Sequence, residues 1–204
     1  MEVVYEMKME ADERKKQIRQ AAMKVFLDKG FRNTIMNDIM EATGLSRGGL
    51  YHHYSSTYEI LYDIMVEGNL NRKDMVKKSI YAEDLILSPQ LFSKIIIDKI
   101  LADSDYVKLY AMFLCELKEN DDLKELYVKI KKESIQVFKE LFSTLFNELP
   151  SDDTFEFMIN IINSGLMSFE ILNARENFKK NKIYLTEMIE IYFINVMKKD
   201  DERS

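Results

Sequence analysis

The stretch Asp38 to Tyr54, DIMEATGLSRGGLYHHY, decides the fold. With helical period, Ile39, Met40 and Ala42 form a short apolar edge that Thr43 and Gly44 stop. Gly44 supplies the positive φ that ends a helix tightly, and the Ser46 hydroxyl suits the N-cap of a second helix running through Leu50 to Tyr54. Two short helices with a turn of about three or four residues between them have the dimensions of a helix-turn-helix.

The second of these helices is poorly made for a core. Arg47, Gly48, Gly49, Tyr51, His52 and His53 fill two turns, and Leu50 alone is plainly apolar. Glycine costs roughly 1 kcal/mol in a helix interior, so its presence implies that something approaches the backbone closely. A nucleic-acid duplex is such a partner: the helix N-terminus favours a phosphate, and Arg47 at that end reaches either phosphate or guanine.

Gly30-Phe31, Thr34, Asp38-Ile39, Ala42 to Ser46, Gly49-Leu50-Tyr51, His53-Tyr54 and Glu59-Ile60-Leu61 together resemble the N-terminal signature of the tetracycline-repressor (TetR) family of bacterial regulators. The resemblance covers roughly Arg14 to Tyr62, about a quarter of the chain. Two positions depart from it. Thr57 stands where the family has a lysine, which bears on a phosphate contact, and Met40 stands where a small residue is usual. The resemblance implies an all-α chain. A three-helix DNA-binding domain over residues 1–62 is joined through a long fourth helix to a helical ligand-binding and dimerisation domain over 63–204. It also implies a regulator, most simply a repressor, that binds a palindromic operator in double-stranded DNA as a homodimer and answers to a small molecule. The alternative is an architectural or cell-division DNA-binding protein on the same fold with no inducer.

Composition sets the outer limits. The chain has 204 residues, 47% hydrophobic and 31% charged, enough for one large or two small domains with a core. Two prolines and six glycines among many Leu, Ile, Met, Lys and Glu predict a nearly all-helical chain. There is no apolar run of about 18 residues and no basic leader before an apolar stretch, so neither a membrane span nor a signal peptide is expected. With Cys115 as the one cysteine, a cytoplasmic protein is expected. The net charge of −6 is unevenly placed: residues 1–80 hold 13 Lys and Arg against 12 Asp and Glu, and the remainder holds 16 against 23. A mildly basic head can therefore still meet phosphates, with salt-sensitive affinity.

In chain order, Met1 to Ala11 reads as a frayed leader, and a helix follows from about Asp12 to Lys29 on the stripe Ile18, Ala22, Val25 and Phe26. Lys15, Lys16 and Arg19 near its start are either solvated or in contact with the DNA backbone. Thr34 is expected to cap the next helix and to donate to a phosphate. A lever-like fourth helix spans Ser56 or Thr57 to about Ser79, with its first half packed on the head. Further helices are predicted from Ser88-Pro89 to Leu101, Tyr106 to Lys118, Asn120 to about Asn147, Asp152 to Arg175 and Lys182 to Lys198. Arg47, Tyr51 and His52 are the candidates for groove contacts, assisted by the bare backbone at Gly48 and Gly49. Ser46, His53, Thr34 and Thr57 are the candidates for phosphate.

The last two helices are greasier than a surface helix should be, and the surplus predicts a four-helix interface with a second copy. Tyr106, Tyr110, Phe113, Glu116, Phe138, Phe142 and Phe169 are the candidates for a ligand cavity, although residues of these types at helical spacing are more often plain core. Glu116 either sits at the surface or, if buried, needs a partner, for which a cationic ligand is one candidate. Catalysis and metal binding lack a basis in the pattern. His52 and His53 diverge by about 100° on a helix, no glycine-rich phosphate loop occurs, and acids such as Asp121 and Asp152 sit where capping explains them. No cofactor is expected.

Overall fold

Polar side chains placed at helix starts set the element boundaries. Ser46, Ser56, Ser88, Ser104, Asn120 and Ser151 each accept from the backbone N–H three residues on, at 2.9 to 3.3 Å, and each precedes a helix. The computed structural model describes the backbone of residues 2–81, 88–101, 103–143 and 151–201, and side chains within these from residue 11 on, apart from 72–81, 95, 99, 141, 142 and 197–201. Its helices are α1 (Glu2–Lys29), α2 (Met36–Thr43), α3 (Arg47–His53), α4 (Thr57–Tyr81), α5 (Pro89–Leu101), α6 (Asp105–Glu116), α7 (Asp121–Phe142), α8 (Asp152–Ile171), α9 (Arg175–Lys180) and α10 (Lys182–Asp201), with a 3₁₀ turn at Phe31–Asn33. No strand occurs among the described residues.

Three boundaries differ from the sequence expectation. The helix expected from Asp12 begins at Glu2, because EVVYEMKMEA contains no glycine or proline and its residues propagate a helix readily. The helix expected to run to Arg175 stops at Ile171: Asn173 takes a left-handed φ of 51°, and the N–H groups of Leu172 and Ala174 both reach the Ser168 carbonyl. The short α9 follows. The expected continuation of α7 towards Asn147 lies outside the described residues.

Two apolar cores result. The first gathers Ile18, Ala22 and Phe26 of α1, Ile39 of α2, Leu50 of α3 and Ile60, Leu61 and Ile64 of α4, but also Leu109 and Phe113 of α6 and Leu123, Leu126 and Ile130 of α7. The second joins Phe92, Ile96, Ile97 and Ile100 of α5 to Ile135 of α7, Phe155, Met158 and Phe169 of α8 and Ile189 and Phe193 of α10. A division at Tyr62 is therefore not a division of the core. Tyr110 borders both.

Two contacts fix the head against α6. A Cβ built on Gly68 of α4 would lie 2.9 Å from Cδ1 of Tyr106, so the glycine permits the close crossing of α4 and α6. Arg32, on the 3₁₀ turn, donates from Nε to Oε1 of Glu116 at 2.8 Å. Glu116 is 3% exposed, and its Oε2 has no hydrogen-bond partner among the described residues. The cation that this carboxylate requires thus comes from the chain itself, across 84 positions of sequence.

Gly68→Ala should lower unfolding stability by about 1–3 kcal/mol, the usual cost of overpacking, measured by denaturant titration. Arg32→Gln, which leaves a buried carboxylate uncompensated, should lower the thermal midpoint more than the double variant Arg32→Gln/Glu116→Leu does.

Candidate nucleic-acid interface

A seven-residue helix is too short to hold itself, so α3 is positioned by what it buries. Leu50 is fully enclosed and Tyr54, its C-cap, is 1% exposed. Gly44, the C-cap of α2, takes φ 67° two residues before Ser46, whose hydroxyl accepts from the Gly49 N–H at 3.2 Å. That hydroxyl keeps its own proton to donate outward.

The Tyr54 phenol ties α3 to its neighbours. It donates to Asp63 Oδ2 of α4 at 2.9 Å and accepts from Arg19 Nη1 of α1 at 3.3 Å, while Arg19 Nε donates to Glu67 at 2.6 Å. Burial pushes the phenol above its ordinary value, with Asp63 adding to the effect and Arg19 opposing it. Arg19 is therefore a strut between α1 and α4. Lys15 lies 3.7 Å from Asp63 and 5.0 Å from the Tyr54 ring centroid, so it too is partly committed inside the head. Lys16 is exposed.

The outward side of α3 carries the expected groups. Arg47, Gly48, Tyr51 and His52 are exposed, and the Arg47 guanidinium sits 5.6 Å from the Tyr51 ring centroid, as in a cation–π pair. A Cβ on Gly49 would press on the Ser46 hydroxyl at 3.3 Å, which gives that glycine an internal reason. A Cβ on Gly48 would meet nothing within 4 Å. The protein's own packing does not call for glycine at 48, so the open backbone there faces outward without an internal purpose. His53 is half-buried, its ring 5.1 Å from that of His52. Burial first, and then the charges of His52, Lys15 and Arg14, hold its imidazole below the ordinary histidine value.

Thr34 does not have the part expected of it. It is 5% exposed, and its hydroxyl donates to the Gly30 carbonyl at 2.9 Å, so its one proton is spent inside the head. The N-cap of α2 is Ile35, whose N–H is received by Asp38 Oδ2 at 2.9 Å, and Lys29 donates to the other Asp38 oxygen at 2.6 Å. These bonds hold the Asp38 carboxyl below its usual range, the Ile35 N–H being the larger cause. Thr57, the first residue of α4, remains half-exposed beside Ser56. Arg14, which the sequence pattern did not single out, is exposed and donates to Gln17 at 2.9 Å.

The candidate ligand residues are not gathered into one place. Tyr106 and Phe113 belong to the first core and Phe138 and Phe169 to the second, Tyr110 borders both, and Glu116 is buried on α6 in its pair with Arg32. The Phe142 side chain lies outside the described residues. Phe169 contacts Phe178 edge-on and the Arg175 guanidinium over its face, which reads as packing. Two grooves occur elsewhere. One of about 480 Å³ runs between α1 and the α2–α3 turn, past Gln17, Lys24 and Thr43; one of about 660 Å³ lies between the start of α4 and the start of α7, past Tyr58, Tyr62, Asp122 and Glu125. Among the described residues no three His, Cys, Asp or Glu side chains are grouped to hold a metal, and no helix is long and apolar enough to cross a membrane.

Comparison with known proteins places this geometry. Residues 18–64 match the sequence model of bacterial regulatory proteins of the tetR family. Over 57 residues the chain is 46% identical to an uncharacterized HTH-type transcriptional regulator, YfiR, of Bacillus subtilis (strain 168), a stretch that spans 28% of either chain. Solved structures share the whole fold at low identity. Salmonella enterica GusR matches with a TM-score of 0.71 at 19% identity over 90% of this chain and 95% of its own. The transcriptional regulator FadR of Bacillus subtilis, solved in complex with stearoyl-CoA, matches with 0.63 at 14% over 89% and 97%. The head over residues 18–64 is thus similar in sequence to that of the tetR family of bacterial regulatory proteins, and the chain as a whole shares its fold with the solved structures.

Proposed function

We propose that the chain is a cytoplasmic, homodimeric transcriptional repressor that binds a palindromic operator and is released or retained by a small molecule held in the helical body. The observation that carries this reading is the outward side of α3: only Leu50 is buried in that helix, and Gly48 lies open with no neighbour of its own. Arg47, Tyr51 and His52 read base edges in the major groove, and Ser46, Thr57 and His53 meet phosphates.

A dimer is supported by the apolar surface that α8 and α10 leave uncovered. Phe157 and Ile161 on α8 and Tyr184, Met188 and Ile191 on α10 are exposed at one-helix-turn spacings. The two helices meet where the Phe157 and Tyr192 rings lie 5.5 Å apart and where the Tyr192 hydroxyl donates to the Thr154 carbonyl. A two-fold pairing of this surface would bury it and set two α3 helices on one face of a duplex. Support for a ligand comes from FadR, which shares the fold and was solved with an acyl-CoA. A ligand in the body would lie against the first core at Tyr106, Tyr110 and Phe113, and Glu116 with Arg32 would relay its presence to the head.

Arg47→Ala/Tyr51→Ala should abolish the mobility shift of DNA from upstream of the chain's own gene while circular dichroism and dimer mass stay unchanged; retained binding refutes the assignment of α3. Gly48→Ala should weaken the same complex at least tenfold, or by about 1.4 kcal/mol, and leave unfolding stability equal or raised by up to about 1 kcal/mol. Met188→Glu with Tyr184→Glu should convert the protein to monomers in sedimentation at micromolar concentration, and an unaltered mass would remove the α8–α10 interface.

A further inference from the structure

The groove between the first turns of α4 and of α7 is lined for positive charge. It encloses about 660 Å³, within the range of small-molecule sites. Its lining includes the buried Leu123 and Leu126 and the half-buried rings of Tyr58 and Tyr62. Phe31 holds the Tyr58 ring edge-on, with centroids 4.9 Å apart. Four carboxylates stand on the two walls, Glu59 and Asp63 on α4 and Asp122 and Glu125 on α7, and the one cation of the lining is Lys129. Part of this charge has a local use. Glu59 Oε2 accepts from the Ser55 N–H and hydroxyl, and Asp63 Oδ2 receives the Tyr54 phenol with Lys15 at 3.7 Å. Asp122 lies in the first turn of α7, where an acid offsets the helix dipole. Glu125 lies beyond that turn. Neither Asp122 nor Glu125 has an ion-pair partner among the described residues, and the nearby Lys124 is held by Asp121 at 2.7 Å.

We propose that this groove binds a linear polyamine, its ammonium groups distributed between the Glu59 and Asp63 wall and the Asp122 and Glu125 wall. The spread of the acids selects that occupant. Four carboxylates share one groove, yet among the described residues no three His, Cys, Asp or Glu side chains are grouped to hold a metal. A compact divalent ion would satisfy one or two of them and leave the others facing each other across the gap. A chain with ammonium groups spaced along an aliphatic stem meets acids on both walls at once. Its methylenes lie against Tyr58, Tyr62 and Leu126, and an ammonium over a tyrosine face gains the attraction of the ring. The site is additional to the one assigned to an effector in the body, since Tyr106, Tyr110 and Phe113 do not line it. Three residues separate α3 from α4, so the occupant bridges the helix next to the reading helix and the start of α7.

The test is isothermal titration calorimetry of the full chain at an ionic strength of about 150 mM, where loose attraction to a protein of net charge −6 is largely screened. The triamine spermidine should occupy one site per chain, the diamine putrescine should bind more weakly, and the monoamine butylamine more weakly again. Asp122→Asn/Glu125→Gln should weaken spermidine about tenfold, the combined effect of two exposed charge pairs. Lys129→Gln, which removes the opposing cation, should tighten it roughly threefold. Asp12→Asn/Glu13→Gln, the same change of charge on exposed positions of α1 outside the groove, should bind as wild type does. Should circular dichroism show that the Asp122/Glu125 variant is misfolded, Lys129→Gln decides alone, and unchanged or weakened binding in it refutes the site. Absence of spermidine binding, or an equal loss in the two double variants, overturns the proposal. So does magnesium or butylamine binding as tightly as spermidine. Tighter binding of acetylated trilysine amide, which has the same charge, would assign the groove to a basic protein segment instead. No DNA is present, so each of these failures leaves the DNA-binding reading standing.

Discussion

The buried phenol of Tyr54 is the interaction on which the reading head depends. Its hydroxyl is received by Asp63 and receives Arg19, so one oxygen joins the end of α3 to α1 and α4. In the low dielectric around a side chain that is 1% exposed, an unmatched phenol or guanidinium is costly, and each member of the group Arg19, Tyr54, Asp63 and Glu67 satisfies another. Helix α3 has seven residues and one buried side chain of its own; the angle at which it is presented is set by this network and by Leu50.

The same logic extends into the body. The first core continues from the head into α6 and α7, and Glu116 satisfies one carboxylate oxygen with a guanidinium from the turn between α1 and α2. A tilt of α6 would carry Glu116 away from Arg32 and strand a charge among apolar side chains. Head and body are joined at this point by an ion pair whose carboxylate is buried.

The head was the most legible part of the sequence because its signals are local. Gly44, Ser46 and Leu50 specify a stop, a start and a buried anchor within seven positions, and the structure places all three so. Breaks that depend on long-range packing were harder to see. Asn173 ends α8 in a left-handed conformation that glycine usually supplies, in a stretch whose apolar period continues past it. Thr34 looked like a cap because a threonine two residues before a helix often is one; its hydroxyl had a nearer acceptor in the Gly30 carbonyl, and Asp38 took the capping role from inside the helix. The pairing of Arg32 with Glu116 had no sequence signal, since neither residue has a patterned relation to the other. The separation of Phe138 and Phe169 from Tyr106 and Phe113 was likewise invisible to periodicity, which assigns a face to a residue but not the core that the face meets.

A core shared across the head and α6–α7 also limits how such a chain can be recombined. Residues up to Tyr62, excised alone, would leave Leu61, Phe31 and Tyr58 without the Leu109, Phe113, Leu123 and Leu126 side chains of the cluster to which they belong. A cut at Tyr62 would therefore run through one apolar core, to which α6 and the first half of α7 contribute alongside the head.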